Sequence, residues 1–163
     1  MRPQVYWIEQ PMSGRLAIMS RPRAGDWLDD EISGWRTEGI DIVLSLLEQE
    51  EISELGLQSE ASLCRNQGMV FLSFPIPDRG VPASLRETVI LTQALARDIG
   101  NGRAVAVHCR AGIGRSSLIA ACTLVCLGAD PAAAFDMIAK ARGVGVPDTE
   151  GQRNWVTVFR ESI

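Results

Sequence analysis

The chain has 163 residues, 46% of them hydrophobic and 22% charged, which is enough for one domain over residues 1–163 with a substantial core. Its net charge of −4 argues against nucleic-acid binding, which usually needs a basic face, and against an anionic membrane surface. No apolar run approaches the roughly twenty residues of a membrane span, and the N-terminus lacks the apolar stretch of a secretory signal. We therefore expect a cytoplasmic protein.

The first half of the chain predicts alternating strands and helices. The predicted elements are strands over Val5–Ile8 and Arg15–Met19, a helix over Asp26–Thr37, a strand over Ile40–Leu47 and one helical turn over Ser53–Leu57. Residues 10–14, between the first two strands, are rich in turn formers, and Asp26 is placed to cap the helix. The acidic run Glu48–Glu51 that closes the third strand is typical of a solvated surface.

The second half predicts a longer series of helices. The predicted elements are a strand over Gly68–Phe74, a helix over Pro82–Ile99, a strand over Ala104–Val107, and helices over Ser116–Leu127, Asp130–Ala141 and Thr149–Glu161. Pro82 suits the first turn of its helix, and Ser116–Leu127, apolar on all sides, predicts a buried central helix. The alternation indicates an α/β fold, a single-domain sandwich whose central, largely parallel (mixed) sheet is flanked by helices.

A glycine-rich loop between the last predicted strand and the buried helix carries the strongest functional signal. It begins at Cys109, ends at Arg115 and contains Gly112 and Gly114. The glycines let the backbone approach a ligand closely, and N–H groups at a helix N-terminus favour negative charge. Such groups hold a phosphate and keep a cysteine as thiolate, while the guanidinium grips two phosphoryl oxygens. The pattern predicts a phosphatase in which Cys109 attacks phosphorus.

Two neighbouring residues extend this pattern. Ser116 has a hydroxyl that can donate to the Cys109 sulfur and ease departure of the thiolate. His108 is the only histidine in the chain, and we expect one ring nitrogen to hydrogen-bond the loop backbone and fix the surroundings of the thiolate. The alternative is an ordinary turn with a cysteine that acts as a small apolar side chain. That alternative leaves the two glycines, the arginine and the serine unexplained.

The segment His108-Cys109-x-x-Gly112-x-x-Arg115-Ser116 resembles the signature loop of the cysteine-dependent protein tyrosine phosphatases, including the dual-specificity group. The resemblance implies a protein-tyrosine-phosphatase-like fold in which Cys109 is the nucleophile, Arg115 binds phosphate and Ser116 assists the leaving sulfur. It also implies substrate contacts from the loop residues Arg110, Ala111, Gly112, Ile113 and Gly114. Many members have glycine where this chain has Ser117. Residues 26–47 are more loosely similar to the kinase-associated-phosphatase-like branch.

Asp78 is the candidate general acid. It lies in a Pro-Asp-Arg-Gly segment between a predicted strand and a predicted helix, 31 residues before Cys109. This segment resembles the acid loop of the same family, which implies that Asp78 protonates the leaving oxygen and later takes a proton from water. The alternative is turn chemistry without a catalytic role. Arg79 either meets the flank of the substrate or remains solvated.

Two interpretations of Gln152 stay open. In part of the family a glutamine in a corresponding segment orients the hydrolytic water, which would make Gln152 a substrate-site residue. The spacing Thr149-x-x-Gln152 also fits a helix capping box, in which the glutamine reaches back to the cap backbone.

The four cysteines fit a reducing, cytoplasmic compartment, which a nucleophilic thiolate needs. Cys122 and Cys126 are four residues apart on the predicted apolar helix and are expected to pack in the core. Cys64 is expected to be inert, with a reversible disulfide to Cys109 as the alternative.

Together these features predict a cysteine-dependent phosphatase that hydrolyses phosphotyrosine in proteins, with phosphoserine and phosphothreonine as further substrates, through a thiophosphate intermediate. The expected partner is a phosphorylated protein or peptide, with no nucleic acid and no membrane. We expect a monomer that uses no metal or other cofactor. The alternatives are a phosphoinositide or RNA 5′-phosphatase, which the acidic charge and the lack of loop lysines disfavour, and a catalytically silent phosphate-binding module.

Overall fold

The fold is built on a five-stranded mixed sheet. Its strands are β1 (Val5–Trp7), β2 (Arg15–Met19), β3 (Ile42–Ser45), β4 (Val70–Ser73) and β5 (Ala104–His108), in the order β1-β2-β5-β3-β4. β1 is antiparallel to β2, and the other pairings are parallel. The computed structural model describes residues 3–10 and 12–163, so Met1, Arg2 and Pro11, which is part of the predicted turn, lie outside the described residues.

Helices cover both faces of this sheet. In the described part of the chain they are α1 (Leu28–Thr37), α2 (Gln49–Glu54), α3 (Glu60–Asn66), α4 (Leu85–Gly100), α5 (Arg115–Cys126), α6 (Pro131–Arg142) and α7 (Glu150–Glu161). As predicted, α5 is the buried helix: it contacts β2 and β5 on one side and α4, α6 and α7 on the others. None of these helices is long and apolar enough to cross a bilayer.

Side chains of the central strands alternate between two hydrophobic clusters, one on each face. On β5, Val105 and Val107 belong to the cluster that includes α5, whereas Ala106 belongs to the cluster under α1 and α3. Because both faces are covered, the strand is apolar throughout. The same alternation directs His108 toward α1 and α3, and Cys109 is part of the α5 cluster.

The predicted sandwich with its central mixed sheet is confirmed, and the five strands form at the predicted segments. The predicted helix start at Pro82 is wrong. Helix α4 begins at Leu85 because the hydroxyl of Ser84 caps it, accepting a hydrogen bond from the N–H of Glu87 at 3.0 Å. Asp26 lies in a 3₁₀ turn, Gly25–Trp27, that precedes α1, and is not the cap of the α-helix.

The interpretation of Glu48–Glu51 as a solvated surface holds for Gln49 and Glu50, which are exposed, but is wrong for Glu51. The side chains of Glu48 and Glu51 form a capping box that begins α2, and Glu51 is buried. Helix α3, which the sequence pattern did not indicate, brings a second buried carboxylate, Glu60, under the sheet.

The four parallel strands end at one edge of the sheet, and this edge collects the polar residues. β5 leads into the loop that begins at Cys109, β3 leads toward Glu51, β4 leads toward Asp78, and β2 leads into Ser20 and Arg21. Ligand sites of parallel sheets lie at such carboxyl ends. The topology therefore brings the predicted nucleophile and the predicted acid to the same place.

Candidate active site

The loop from Cys109 to Gly114 joins β5 to the N-terminus of α5. Cys109 is 3% exposed, and its Sγ lies 3.2 Å from the hydroxyl oxygen of Ser116, the contact that the sequence predicts. The hydroxyl of the next residue, Ser117, is buried and has no partner among the described residues. The sulfur therefore lies at the positive end of the buried helix with one side-chain hydroxyl in contact with it.

Gly112 holds the loop against the neighbouring strand. Its φ is +71°, and a side chain there would place a Cβ 2.7 Å from the carbonyl carbon of Met19 and 2.8 Å from its oxygen. No other residue satisfies both the left-handed backbone and the close approach. The glycine that the sequence analysis assigned to ligand approach thus also allows the loop to pack on β2.

The carbonyl groups of the loop accept hydrogen bonds from outside the site. The oxygen of Arg110 accepts from the N–H of Arg21 at 3.2 Å, and that of Ala111 accepts from the hydroxyl of Ser20 at 3.0 Å. Arg142 donates from Nε to the oxygen of Gly112 at 3.1 Å and from Nη2 to that of Ala111 at 3.3 Å. In the described chain, the N–H groups of residues 110–114 donate to no protein acceptor. This arrangement leaves backbone donors for an anion.

Arg115 is 2% exposed, and its guanidinium is held by several hydrogen bonds. Its Nη1 and Nη2 donate to the two carboxylate oxygens of Glu51 at 2.6 and 2.9 Å, and Nη1 also donates to the carbonyl of Ile76 at 2.9 Å. Burial opposes the charge of Glu51, but hydrogen bonds and the charge of Arg115 hold the pKa of that carboxyl below its usual 4.5. The guanidinium is therefore a fixed cation at the floor of the site.

Asp78 lies at the mouth of the site. Its carboxylate is 55% exposed and lies 3.2 Å from Nη2 of Arg115. The turn that the sequence offers as the alternative also forms, since the N–H of Gly80 donates to the carbonyl of Pro77 at 2.8 Å and Arg79 has φ +59°. The turn and the contact with Arg115 are both present. The turn therefore places the Asp78 carboxylate next to Arg115.

These groups surround one cavity of about 220 Å³. Its lining comprises Asp78, Arg79, Cys109, Arg110, Ala111, Gly114, Arg115 and Asp148. Asp148 was not singled out by the sequence analysis; it packs so closely on Gly114 that a side chain at that glycine would collide with its carboxylate. Arg110 is partly balanced by Glu51 at 3.8 Å and Glu54 at 3.9 Å.

Gln152 lies outside this lining and is fully buried. Of the two interpretations left open by the sequence, the capping box with Thr149 forms: the N–H of Gln152 donates to the threonine hydroxyl at 3.0 Å, and its Oε1 accepts from the N–H of Thr149 at 3.2 Å and of Asp148 at 3.0 Å. Its Nε2 donates to the carbonyl of Gly80 at 3.1 Å. The side chain thus ties the start of α7, including Asp148, to the turn that carries Asp78.

Two buried glutamates that the sequence analysis missed support the site from behind. Glu51 supports Arg115, and Glu60 contacts His108, whose Nδ1 also lies 3.2 Å from the carbonyl of Cys109 as predicted. Glu51 follows the carboxyl end of β3, which lies next to the strand that presents Cys109. This position in the chain could have indicated that Glu51 belongs to the site. For Glu60 no local signal exists, because its partner lies 48 residues away.

The remaining cysteines are separate from this site. Cys64 lies in the cluster under α1 and α3, whereas Cys109 lies in the α5 cluster on the other face, which does not support a disulfide between them. Burial raises the pKa of Cys64 to about 12. Cys122 is buried in α5 as expected. Among residues 3–10 and 12–163, no three His, Cys, Asp or Glu side chains cluster in a way that would hold a metal.

Known proteins share this fold. Cyclin-dependent kinase inhibitor 3 of Rattus norvegicus is 32% identical over 130 residues, which cover 78% of this chain but only 61% of that relative. The crystal structure of kinase associated phosphatase, with its catalytic-site cysteine changed to serine, superposes with a TM-score of 0.90 at 23% identity and covers 99% of this chain and 96% of that one.

A third similar protein is PTPMT1, whose structure covers 98% of this chain and 95% of its own at a TM-score of 0.76 and 21% identity. PTPMT1 has also been crystallised in complex with PI(5)P. A family model described as polymorphic toxin system, DSP-PTPase phosphatase matches residues 17–129, more than half of the chain. The resemblance of the loop is thereby confirmed, and the chain belongs to the DSP-PTPase family, the dual-specificity group of the cysteine-dependent protein tyrosine phosphatases.

Proposed function

We propose that this chain is a cysteine-dependent phosphatase that hydrolyses phosphotyrosine, and also phosphoserine and phosphothreonine, in proteins through a thiophosphate intermediate on Cys109. The observation that carries the proposal is the convergence of three groups on one cavity: the Cys109 sulfur, the Arg115 guanidinium and the unshared loop N–H groups. Donors fixed around a developing phosphoryl charge supply most of the stabilisation that phosphoryl transfer needs.

In the first step the Cys109 thiolate attacks phosphorus, the S–P bond forms and the bond from phosphorus to the leaving oxygen breaks. Both Nη groups of Arg115 are held by Glu51, and its Nε–H has no acceptor among the described residues, so phosphate binds at Nε–H and at the Nη2 side that now faces Asp78. Phosphate thereby displaces the carboxyl of Asp78 from Arg115. The freed carboxyl, in its protonated form, gives its proton to the leaving oxygen.

In the second step water attacks the phosphorus of the thiophosphate. Asp78, now a carboxylate, takes the proton of that water, the S–P bond breaks and inorganic phosphate leaves. The hydroxyl of Ser116, 3.2 Å from the sulfur, donates to the departing thiolate. The site is then restored with no net consumption of any group.

The charge around the cavity supports a protein substrate over a lipid headgroup with several phosphates. Asp78 and Asp148 both line the cavity, and Arg110 is partly balanced by Glu51 and Glu54. A second phosphate would meet these two carboxylates and a single arginine without an ion pair among the described residues, Arg79, whereas a phosphopeptide brings one dianion and flanks that can be basic. Repulsion between the two carboxylates and a second phosphate therefore favours the phosphopeptide over the lipid headgroup.

The proposed substrate class is tested by release of inorganic phosphate with a metal chelator and a reductant present. One peptide sequence is prepared with phosphotyrosine, phosphoserine or phosphothreonine, and PI(5)P is presented in phosphatidylcholine vesicles. We expect kcat/KM for PI(5)P to be at least about tenfold below that for the phosphotyrosine peptide. Faster hydrolysis of the lipid would overturn the substrate class. Binding of the peptides without turnover would identify a silent phosphate-binding module.

Asp78→Asn is expected to lower kcat for the phosphoserine peptide by about a hundredfold, the usual contribution of a general acid. The loss should be much smaller with para-nitrophenyl phosphate, because para-nitrophenolate leaves without protonation. Steady-state rates with the two substrates measure this difference. Asp148→Asn is the matched comparison, since it removes the other carboxylate of the cavity. If the loss that depends on the leaving group followed Asp148 instead, the assignment of the acid to Asp78 would be wrong.

A further inference from the structure

A buried pair, Glu60 and His108, lies directly behind the loop. The carboxylate oxygen of Glu60 is 2.5 Å from Nε2 of His108, and Nδ1 is 3.2 Å from the carbonyl oxygen of Cys109. Both side chains are buried. An ionised carboxylate and a carbonyl oxygen can only accept hydrogen bonds, so opposite an ionised Glu60 both ring nitrogens donate. Only the doubly protonated imidazolium has two N–H groups.

The charges that face this ring favour the same state. Burial opposes a charged ring, but the charge and hydrogen bond of Glu60, together with the carbonyl of Cys109, raise the pKa of His108 above its ordinary 6.5 despite the nearby positive charge of Arg115. From α1 the uncharged ring of Trp35 faces it, at 6.0 Å between centroids. Cys64, four residues after Glu60, has a pKa of about 12 and is therefore neutral.

We propose that Glu60 is a positioning residue which keeps His108 as an imidazolium, and that this cation stabilises the Cys109 thiolate and fixes the first carbonyl of the loop. The inference rests on the proposed function, in which that thiolate is the nucleophile. Glu60 does not line the cavity that holds Cys109, so it acts only through His108. A carboxylate on a helix that is not next to the site in sequence thereby sets the charge state of the nucleophile.

Glu60→Gln separates the charge from the hydrogen bond. A neutral ring with its proton on Nδ1 still donates to the carbonyl of Cys109, and its Nε2 accepts from the glutamine amide. The packing and the number of hydrogen bonds are unchanged, while the imidazolium loses the carboxylate that holds it. Glu50→Gln is the control. Glu50 is an exposed residue of α2, so its replacement removes the same charge at a position away from the ring.

The first readout is the titration of His108 by NMR. It is the only histidine of the chain, so its ring signals are unambiguous. We expect the wild type and Glu50→Gln to show an imidazolium at pH 7, and Glu60→Gln to show a neutral ring at the same pH. A neutral ring at pH 7 in the wild type would overturn the proposal, and this measurement holds even if Glu60→Gln does not fold.

The second readout is the rate at which iodoacetamide alkylates Cys109 as a function of pH, followed by mass spectrometry of its peptide with Cys109→Ser as the blank. We expect the midpoint in Glu60→Gln to lie about one pH unit above that of the wild type and of Glu50→Gln, which is about tenfold slower alkylation below the midpoint. Superimposable profiles in a folded Glu60→Gln protein would refute the inference.

Neither readout requires turnover. If the ring and the thiolate respond as expected but no phosphoester is hydrolysed, the proposed function fails while the link between Glu60 and Cys109 stands. If the wild type hydrolyses phosphopeptides and Glu60→Gln changes neither profile, the function stands and the positioning role is lost.

Discussion

Replacing Cys109 with serine is expected to abolish phosphatase turnover and to leave phosphate binding intact. A serine hydroxyl is not ionised at neutral pH and cannot form the intermediate, so we expect kcat to fall by at least about a thousandfold. The Arg115 guanidinium and the loop N–H groups that hold the phosphate are unchanged by the substitution. Turnover with a chelator present and calorimetric titration with inorganic phosphate measure the two effects on the same protein.

The matched control is Cys126→Ser, the same chemical change on α5, where a hydroxyl can keep the contact with Thr92. This variant should retain wild-type turnover. Rapid acid quenching of the wild type during turnover should also reveal a phosphorylated peptide that contains Cys109. If Cys109→Ser retained chelator-resistant turnover, or if no phosphorylated cysteine were trapped, the covalent route would have to be abandoned.

Glu51→Gln is expected to damage both stability and activity. Arg115 and Glu51 are buried together, and removal of one partner of a buried ion pair leaves an uncompensated charge, which costs about 3 kcal/mol in the free energy of unfolding. The glutamine oxygen can accept from only one of the two Nη groups and its NH2 group faces the other donor, so the paired hydrogen bonds that orient the guanidinium are broken. Because small misplacements of a binding group slow chemistry strongly, we expect kcat/KM to fall by about a hundredfold.

Urea unfolding and steady-state kinetics check this prediction, with Glu50→Gln as the exposed neighbouring control. The acid limb of stability gives a second check. The folded pKa of Glu51 lies below its ordinary 4.5, so its contribution is fully present above pH 4.5 and is lost as the pH falls through the folded value. That part of the acid limb should be absent in Glu51→Gln. A variant as stable and active as the control would show that Arg115 is oriented without Glu51.

Contacts between residues close in the sequence could be predicted at this site, whereas contacts between residues far apart in the sequence could not. The contact of Cys109 with Ser116 and the capping box of Thr149 and Gln152 join residues a few positions apart. Their spacing predicted the first and offered the second as one of two interpretations. The support of Arg115 by Glu51 joins residues 64 positions apart. In a run of four acidic and amide residues nothing local separates a buried carboxylate from solvated ones.

The fold likewise contains elements that local sequence predicts and elements that it does not. Strands buried on both faces read as apolar runs, and their segments were predicted, whereas the start of α4 depended on one hydroxyl, that of Ser84, which the proline pattern obscured. The short helix α3 has neither a strong apolar period nor a side-chain cap, and it depends on packing against α1 and β4. Tertiary contacts, rather than local propensity, determine such elements.

The outward hydrogen bonds of the loop carbonyls have a consequence for how a phosphoester is bound. Arg142, Ser20 and the backbone of Arg21 hold these carbonyls through contacts made within the protein itself. The conformational entropy of the loop is therefore lost when the chain folds and not when the substrate arrives. Recognition then requires little rearrangement, and the interaction energy of the inward N–H groups remains available to the transition state.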